Sequence, residues 1–364
     1  MSTPRSRLVD IAVIGAIVLL VGSLVLVQIA LRHRDSESRV TPSPSPSGSA
    51  SIQHSTDGPT PTATTPPALP SATALPSGAS TGIRGPQVPQ QADPSKALSS
   101  LAAKAQENAA LPLVFRVATF NVLGASHTTK RGDSRIKTSY SLRMNYAIQV
   151  LAAHKADVVG FQEYETPQAK LFTKLVGPVW GLWPEAGGGG ADGRNSIGYL
   201  KKKWELVKGT SLTIPYFHGS AFRSPVALLR DRSTGREVWF ISVHNPATNC
   251  AVCGGNNDRW REEAVQKEIA AIRQLHADGT PVVLMGDMNS KDEFYCSMVG
   301  SGLGVTFPNP GTVSGTSCVG PRPTTIDWIL GTPGMTWAGY VRDRSQLTRL
   351  ATDHPVYSAT AIVP

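Results

Sequence analysis

The chain is 364 residues long, enough for one large domain or two ordinary ones, and 35 Lys and Arg against 26 Asp and Glu leave it at +9 with a pI near 9.5. That balance favours polyanionic partners such as nucleic acid, anionic lipid or wall polymers. Apolar, Pro-rich and motif-bearing stretches are segregated along the chain, which excludes a single uniform globule.

Residues 1–10 form a short tail. Ile11 to Leu31 is apolar and uncharged, broken only by Gly15, Gly22, Ser23 and Gln28, and is long enough to cross a bilayer as a helix. A cleaved signal peptide is the competing reading. The apolar core is longer than such peptides carry and no small-x-small pattern follows it, so an uncleaved transmembrane anchor is the expectation. Arg5 and Arg7 precede the span and Arg32, Arg34 and Arg39 follow it, which leaves its orientation open. Residues 32–111 are dominated by Ser, Pro and Thr and read as a disordered linker, whose polyproline-like reach of ~3 Å per residue totals on the order of 200 Å. Ala97 to Asn108 has helix-forming composition and leads into a domain over 112–364, the size of one α/β unit.

Within that domain Leu113 to Val122 alternates as a strand ending at Asn121 and Gly124, followed by a basic loop containing His127, Arg131 and Lys137. Helical spacing over Tyr140 to His154 precedes a buried strand, Ala156 to Glu163, that ends on a carboxylate, and Thr166-Pro167 starts a helix running to Val176. Gly187 to Gly190 lacks the Lys-Ser/Thr of a P-loop and the Rossmann spacing, so it reads as a mobile loop entering the strand Ser196 to Leu200. Pro225 to Leu229 and Glu237 to Val243 suggest a hairpin, the second strand ending at His244. A helix over Asp258 to His276 leads to Pro281-Val-Val-Leu-Met-Gly-Asp-Met-Asn289, a buried strand running into a turn that presents Asp287 and Asn289. A Gly/Ser-rich loop, the strand Thr325 to Leu330 with Asp327, and Thr352-Asp-His-Pro355 complete the chain.

Asn121, Glu163, His244, Asp287, Asn289, Asp327, Asp353 and His354 thus lie mostly at or just beyond the ends of apolar strands, where loops converge on one sheet edge. Cys250, Cys253, Cys296 and Cys318 all fall in this domain. Their even count fits two disulfides in an exported domain, and a zinc site using Cys250 and Cys253 is the weaker alternative.

In order along the chain, Thr119-Phe-Asn121, Gln162-Glu163, Ser242-Val-His244, Gly286-Asp-Met-Asn289, Ile326-Asp327-Trp-Ile and Thr352-Asp-His-Pro355 resemble the motifs of the endonuclease/exonuclease/phosphatase superfamily. Its members include pancreatic-type deoxyribonucleases, abasic-site endonucleases, sphingomyelinases and inositol-phosphate phosphatases. The resemblance implies an α/β fold of two packed mixed β-sheets flanked by helices, a four-layered sandwich. It also implies Mg²⁺, with Mn²⁺ or Ca²⁺ possible, held by Glu163 with Asn121 and Asp353 at the same or a second position. Asp287 would orient or deprotonate the attacking water, Asn289 would hold a phosphate oxygen, and His354, steadied by Asp327, would flank the phosphorus with His244.

Gly193-Arg-Asn-Ser196 resembles the phosphate-contacting loop of the deoxyribonuclease branch and nominates Asn195 and Arg194. That branch then carries a glutamate partner for the central histidine. Ile197-Gly-Tyr199 stands here instead and leaves the partner of His244 unassigned. The cysteine pattern resembles secreted deoxyribonucleases and implies Cys250 with Cys253 and Cys296 with Cys318. The expectation is a monomeric, single-pass membrane protein, or a secreted one if the N-terminal segment is cleaved. Its extracytoplasmic domain would be a Mg²⁺-dependent nuclease of little sequence preference with no protein partner. The alternatives are a sphingomyelinase-like or small-molecule phosphoesterase and an inactive surface binding module. A sphingomyelinase needs an exposed aromatic hairpin, for which only Tyr216-Phe217 offers itself, and that pair reads as a partly buried loop.

Overall fold

The alternating residues of Leu113–Asn121 form the first strand, β1, of a structure described, as a computed structural model, over residues 94–109, 111–185, 194–250 and 255–364. The strands that follow are β2 (Val158–Gln162), β3 (Trp180–Trp183), β4 (Ser196–Leu200), β5 (Trp204–Pro215), β6 (Ala221–Asp231) and β7 (Glu237–His244). After two short strands, β8 (Asn249–Cys250) and β9 (Gly255–Asn256), come β10 (Val282–Asp287), β11 (Thr312–Ser314), β12 (Ser317–Val319), β13 (Asp327–Gly331), β14 (Thr336–Asp343) and β15 (Val356–Val363). The helices are α1 (Pro94–Ala109), α2 (Tyr140–Ala153), α3 (Thr166–Val176), α4 (Asp258–Leu275), α5 (Asp292–Gly300) and α6 (Gln346–Ala351).

Local signals account for the helix starts. The Ser139 and Ser345 side chains accept from the Leu142 and Thr348 amides and cap α2 and α6. Glu165 and Gln168 form a capping box on α3, with Pro in its first turn.

Two mixed sheets result, one ordered β14-β15-β1-β2-β4-β3 and the other β13-β10-β7-β6-β5. Each is built on a parallel pair, β1 with β2 and β7 with β10, and the neighbours of each pair run antiparallel to it. The inner faces pack Phe115, Val117 and Val158 against Phe240, Val283 and Met285. Phe115, Trp204 and Phe240 meet edge to face at 5.3–5.6 Å, which fixes the sheets against each other. The outer face of the first sheet is covered by α2 and α3 through Met144, Val150 and Phe172, and that of the second by α4 and α5 through Ile269, Ile272 and Phe294. Each fully buried side chain of this size contributes roughly 1.5–3 kcal/mol relative to exposure.

The fold departs from the sequence expectation in four places. The Gly/Ser-rich loop after Asn289 contains α5, whose Phe294, Tyr295 and Met298 are buried. β5 is a 12-residue strand that its polar outer face concealed, and the hairpin strand expected over Pro225 to Leu229 extends to Ala221–Asp231 to pair with it. The edge strand β14, mostly exposed, carries no apolar run to announce it. Tyr216 and Phe217, by contrast, are half-buried in the loop at the tip of the β5–β6 hairpin, as the sequence suggests.

Cys296 and Cys318 form a disulfide that ties α5 to the β11–β12 ribbon. Cys253 lies outside the described residues, and with it the Cys250–Cys253 pairing, as do the Ile11–Leu31 span and the glycine run. Among the described residues no helix is long and apolar enough to cross a membrane.

Candidate active site

The period-two alternation that buries the inner faces also delivers the polar residues. On β1 the inward positions run Phe115, Val117, Thr119, Asn121, and on β7 they run Val238, Phe240, Ser242, His244. Val283, Met285 and Asp287 follow the same rule on β10, as do Asp327 and Ile329 on β13. Asp287 is in register with His244 on one side and Asp327 on the other, so three functional side chains stand abreast on adjacent strands. On the opposing sheet Asn121 is in register with Gln162, one residue before Glu163.

Beneath the site the sheets are joined by a buried polar layer. Thr119 Oγ1 donates to Gln162 Oε1 at 3.3 Å, Gln162 Nε2 donates to Ser242 Oγ at 3.1 Å, and Ser242 Oγ donates to the Phe161 carbonyl at 3.2 Å. Leaving any of these buried groups unpaired would cost about 1–3 kcal/mol.

Asp287 Oδ2 is the focus of the site. It accepts from Asn121 Nδ2 at 3.2 Å and lies 3.7 Å from His244 Nε2 and 3.8 Å from His354 Nε2. Its other oxygen accepts the Asn289 amide at 2.9 Å. Asn121, fully buried, also donates to Glu163 Oε1 at 2.9 Å, while its carbonyl oxygen accepts the Leu123 amide at 3.0 Å. Asn121, expected as a metal ligand, offers both carboxylates its N–H groups, and its Oδ1, with one backbone N–H bonded to it, keeps a second lone pair for a ligand.

Glu163 Oε2 accepts the Gly124 amide at 2.9 Å and lies 3.6 Å from His127 Nε2. Burial pushes the Glu163 pKa up, but the neighbouring histidine His244, the Asn121 and Gly124 donors and His127 outweigh it and hold the carboxyl below its ordinary value. Glu163, Leu123 and Asn289 adopt φ of 53°, 53° and 48°, three of the five non-glycine residues in the left-handed region among those described. Backbone strain of this kind, about 1–3 kcal/mol each, gathers where geometry is imposed by function.

His354 Nδ1 is 3.1 and 3.2 Å from the two oxygens of Asp327. Burial alone would lower the His354 pKa, yet Asp327, Asp287 and Asp353 hold it well above its ordinary value. Burial raises the Asp327 pKa, and His354 only partly offsets this. The His244 ring meets the Tyr216 ring edge to face at 5.9 Å. The Ile197-Gly-Tyr199 segment that replaces the expected glutamate is part of β4, with both side chains buried in the core, so Asp287 and Tyr216 are the neighbours this fold gives His244.

Asn195 is 3% exposed and neither of its amide atoms has a partner. The carbonyl of Arg194 accepts the Tyr164 amide at 2.6 Å and anchors the loop beside Glu163, whereas the Arg194 residue is exposed. Asn289 Nδ2 donates to the Asn245 carbonyl at 2.8 Å. Asp353 is exposed, and the adjoining Thr352 hydroxyl donates to the Asn121 carbonyl at 2.7 Å.

Two further contributors escaped the sequence reading. Buried Arg143 donates to the carbonyls of Val122, Gly124 and Ala351, holding the loop after β1 to the end of α6. His127, bonded to Asp133 at 2.6 Å, flanks Glu163. Two open depressions adjoin the centre. One of about 650 Å³ runs past Asn289, Arg261 and Gln266, and one of about 280 Å³ lies beside Asp327 and His354, with Lys291 and Ile326 lining both.

The Endonuclease/Exonuclease/phosphatase family matches residues 118–354, which contain every one of these strand ends. The chain belongs to that family. Members of the endonuclease/exonuclease/phosphatase family are phosphoric ester hydrolases that characteristically use divalent metal. A search of curated proteins found no match. Among solved structures, a family protein from Bacteroides thetaiotaomicron shares 16% identity over 70% of this chain and 99% of its own, with a TM-score of 0.51. The human Nocturnin catalytic domain with bound sulfate shares 14% over 69% and 96%, TM-score 0.53. A humanized D. rerio TDP2 shares 15% over 68% and 98%, TM-score 0.50. These likenesses show the fold.

The donor set fits a hard divalent cation of the kind the family uses. Glu163 is held ionised at a strand end and bonded to Asn121, whose backbone carbonyl accepts the hydroxyl of Thr352 next to Asp353. Oxygens of Asp287 and Asp327 and a nitrogen of His354 also lie within 4.8 Å of one another. The bond between His354 and Asp327, and the proton their surroundings keep on His354, make that trio a poor cation clasp.

Proposed function

We propose that this chain is a Mg²⁺-dependent phosphodiesterase acting outside the cytoplasm from an N-terminal membrane anchor, and that its substrate is nucleic acid. The observation that carries the catalytic reading is the convergence of Asn121, His244 and His354 on one oxygen of Asp287, with the unpartnered amide of Asn195 nearby. A divalent cation held by Glu163, with Asp353 contributing, would neutralise charge gathering on the phosphoryl oxygens.

The remaining work falls to the chain's own groups. Asp287, oriented by the Asn289 amide and the Asn121 side chain, accepts the proton of the attacking water at Oδ2. His354 is kept charged by Asp327 and presents its Nε2 proton to a phosphoryl oxygen, acting as an electrostatic clamp. His244 supplies a second imidazole at the same oxygen of Asp287, Asn195 donates its free amide protons to the phosphate, and the departing alkoxide takes its proton from solvent.

The net charge of +9 supports a polyanionic substrate, and the disulfide between Cys296 and Cys318 supports export. The test is supercoiled plasmid incubated with the full-length protein in Mg²⁺ or in chelator, beside His354→Ala and Asp287→Asn. Metal-dependent nicking lost in both variants is the expected result. A folded protein that hydrolyses bis(4-nitrophenyl) phosphate but leaves plasmid intact would move the substrate to a lipid or small-molecule ester.

A further inference from the structure

We propose that the smaller depression beside His354 is a second anion subsite, which receives a phosphate adjoining the one being hydrolysed. The inference rests on the phosphodiesterase reading above and names its substrate class: esters with phosphates in succession, as in a polynucleotide.

The depression is lined by Asp327 and His354 of the reacting centre together with Lys291, Arg342 and Arg344. Arg342 lies near the end of edge strand β14 and Arg344 just beyond it, and both line the depression from this one stretch of chain. Lys291 comes from the turn after β10, on the other sheet, four residues beyond Asp287. The two sheets therefore bring three cations to the flank of the reacting centre, as they bring the reacting groups themselves.

Among the described residues no carboxylate pairs with any of the three. Arg342 is positioned by other means. Its Nη2 donates to the Thr324 carbonyl at 3.4 Å, its guanidinium lies 5.9 Å from the Tyr357 ring centre, and its Nε is buried with no partner. Lys291 and Arg344 are exposed. The acidic groups of the depression are Asp327, engaged with His354, and exposed Asp353, which the proposed mechanism assigns to the cation.

Like charges gathered without counterions repel, and an anion between them removes that repulsion. Guanidinium forks match phosphate oxygens in shape as well as charge. The scissile phosphate belongs between Asn195, Asp287 and His354, so an anion on the far flank of His354 is its neighbour along the substrate. A lone phosphodiester leaves this flank empty, whereas a polynucleotide fills both positions.

The test uses thymidine carrying a 4-nitrophenyl phosphate on one hydroxyl, with or without a phosphate on the other, in both polarities. The scissile bond is then the same and only the remote phosphate differs. Wild-type protein is expected to prefer the doubly phosphorylated ester in one polarity by roughly tenfold in kcat/KM, the worth of one charge-assisted contact. Arg344→Ala should lose that preference while hydrolysing the singly phosphorylated ester as before, and Arg344→Lys should keep part of it. With DNA, Arg344→Ala should also flatten the dependence of log affinity on log salt by about one phosphate contact.

Equal rates on both esters with wild-type protein would overturn the subsite, as would Arg344→Ala slowing both esters alike. A retained preference without plasmid nicking would overturn the nuclease reading and leave the subsite standing. Hydrolysis of neither ester would remove both.

Discussion

The two sheets contribute unlike halves to one site. The five-stranded sheet supplies His244, Asp287 and Asp327 abreast on three neighbouring strands, all buried and held by strand register. The six-stranded sheet supplies Asn121, Glu163, Asp353, His354 and Asn195, all but Asn121 from turns beside its strands, with a left-handed backbone at Glu163. The first half needs only correct pairing within a sheet. The second needs loops pinned from outside, which Arg143 and the Thr352 hydroxyl do. In the proposed mechanism the base, Asp287, comes from the first half, and the cation ligands and the charged His354 come from the second; among the described residues Asn121 is the side chain that bonds to carboxylates of both.

Substitutions should separate the proton-handling groups from the cation ligands. His354→Ala should lower kcat by roughly 1000-fold while leaving Mg²⁺ affinity near wild type, read by steady-state kinetics and calorimetric titration. A variant that loses metal affinity as well would merge the two roles. Behind the five-stranded sheet, Glu268 on α4 is fully buried, and burial outweighs the Asn245 side chain that favours its ionised form and pushes its pKa up to about 8. The folded state therefore holds a proton that the unfolded chain releases, and stability falls as pH rises from about 4.5 to about 8. Glu268→Gln should remove that slope and stabilise the protein by on the order of 3 kcal/mol at pH 7, with no gain near pH 4, measured by urea unfolding.

On the other half, Glu163→Gln should weaken Mg²⁺ binding by roughly 100-fold. Excess metal should restore part of its activity, and failure of that rescue would count against a ligand role. At the edge of the six-stranded sheet, Asp343 accepts from Thr348 Oγ1 at 2.6 Å, the Ser345 amide at 2.7 Å and His154 Nε2 at 2.9 Å. Burial opposes ionisation, but these bonds win and lower its pKa to about 2. The stabilisation is complete above the ordinary carboxyl value of 3.8 and is lost as pH falls through about 2. Asp343→Asn should cost about 2 kcal/mol at pH 7 and progressively less below pH 4, followed by thermal denaturation.

The candidate site residues were legible in the sequence because they extend a pattern: the apolar strands Leu113–Asn121, Glu237–His244 and Val282–Asp287 each end on a polar residue, Asn, His or Asp. The family motifs follow the same strand ends, so fold and candidate site were read together. Arg143 was hidden within a helical pattern whose apolar face its charge interrupts, and α5 within a stretch that reads as loop until Phe294 and Met298 find a core. The amide of Asn121 could be assigned as donor only once Leu123 had claimed its oxygen, and Tyr216 became a neighbour of His244 only when the β5–β6 hairpin reached across the site. By itself the sequence determined which residues carry chemistry, since short-range alternation and residue type are written locally. Which atom of each faces which, and that Lys291 joins Arg342 and Arg344, was decided only by packing two sheets together, because those contacts are made between residues far apart in the chain.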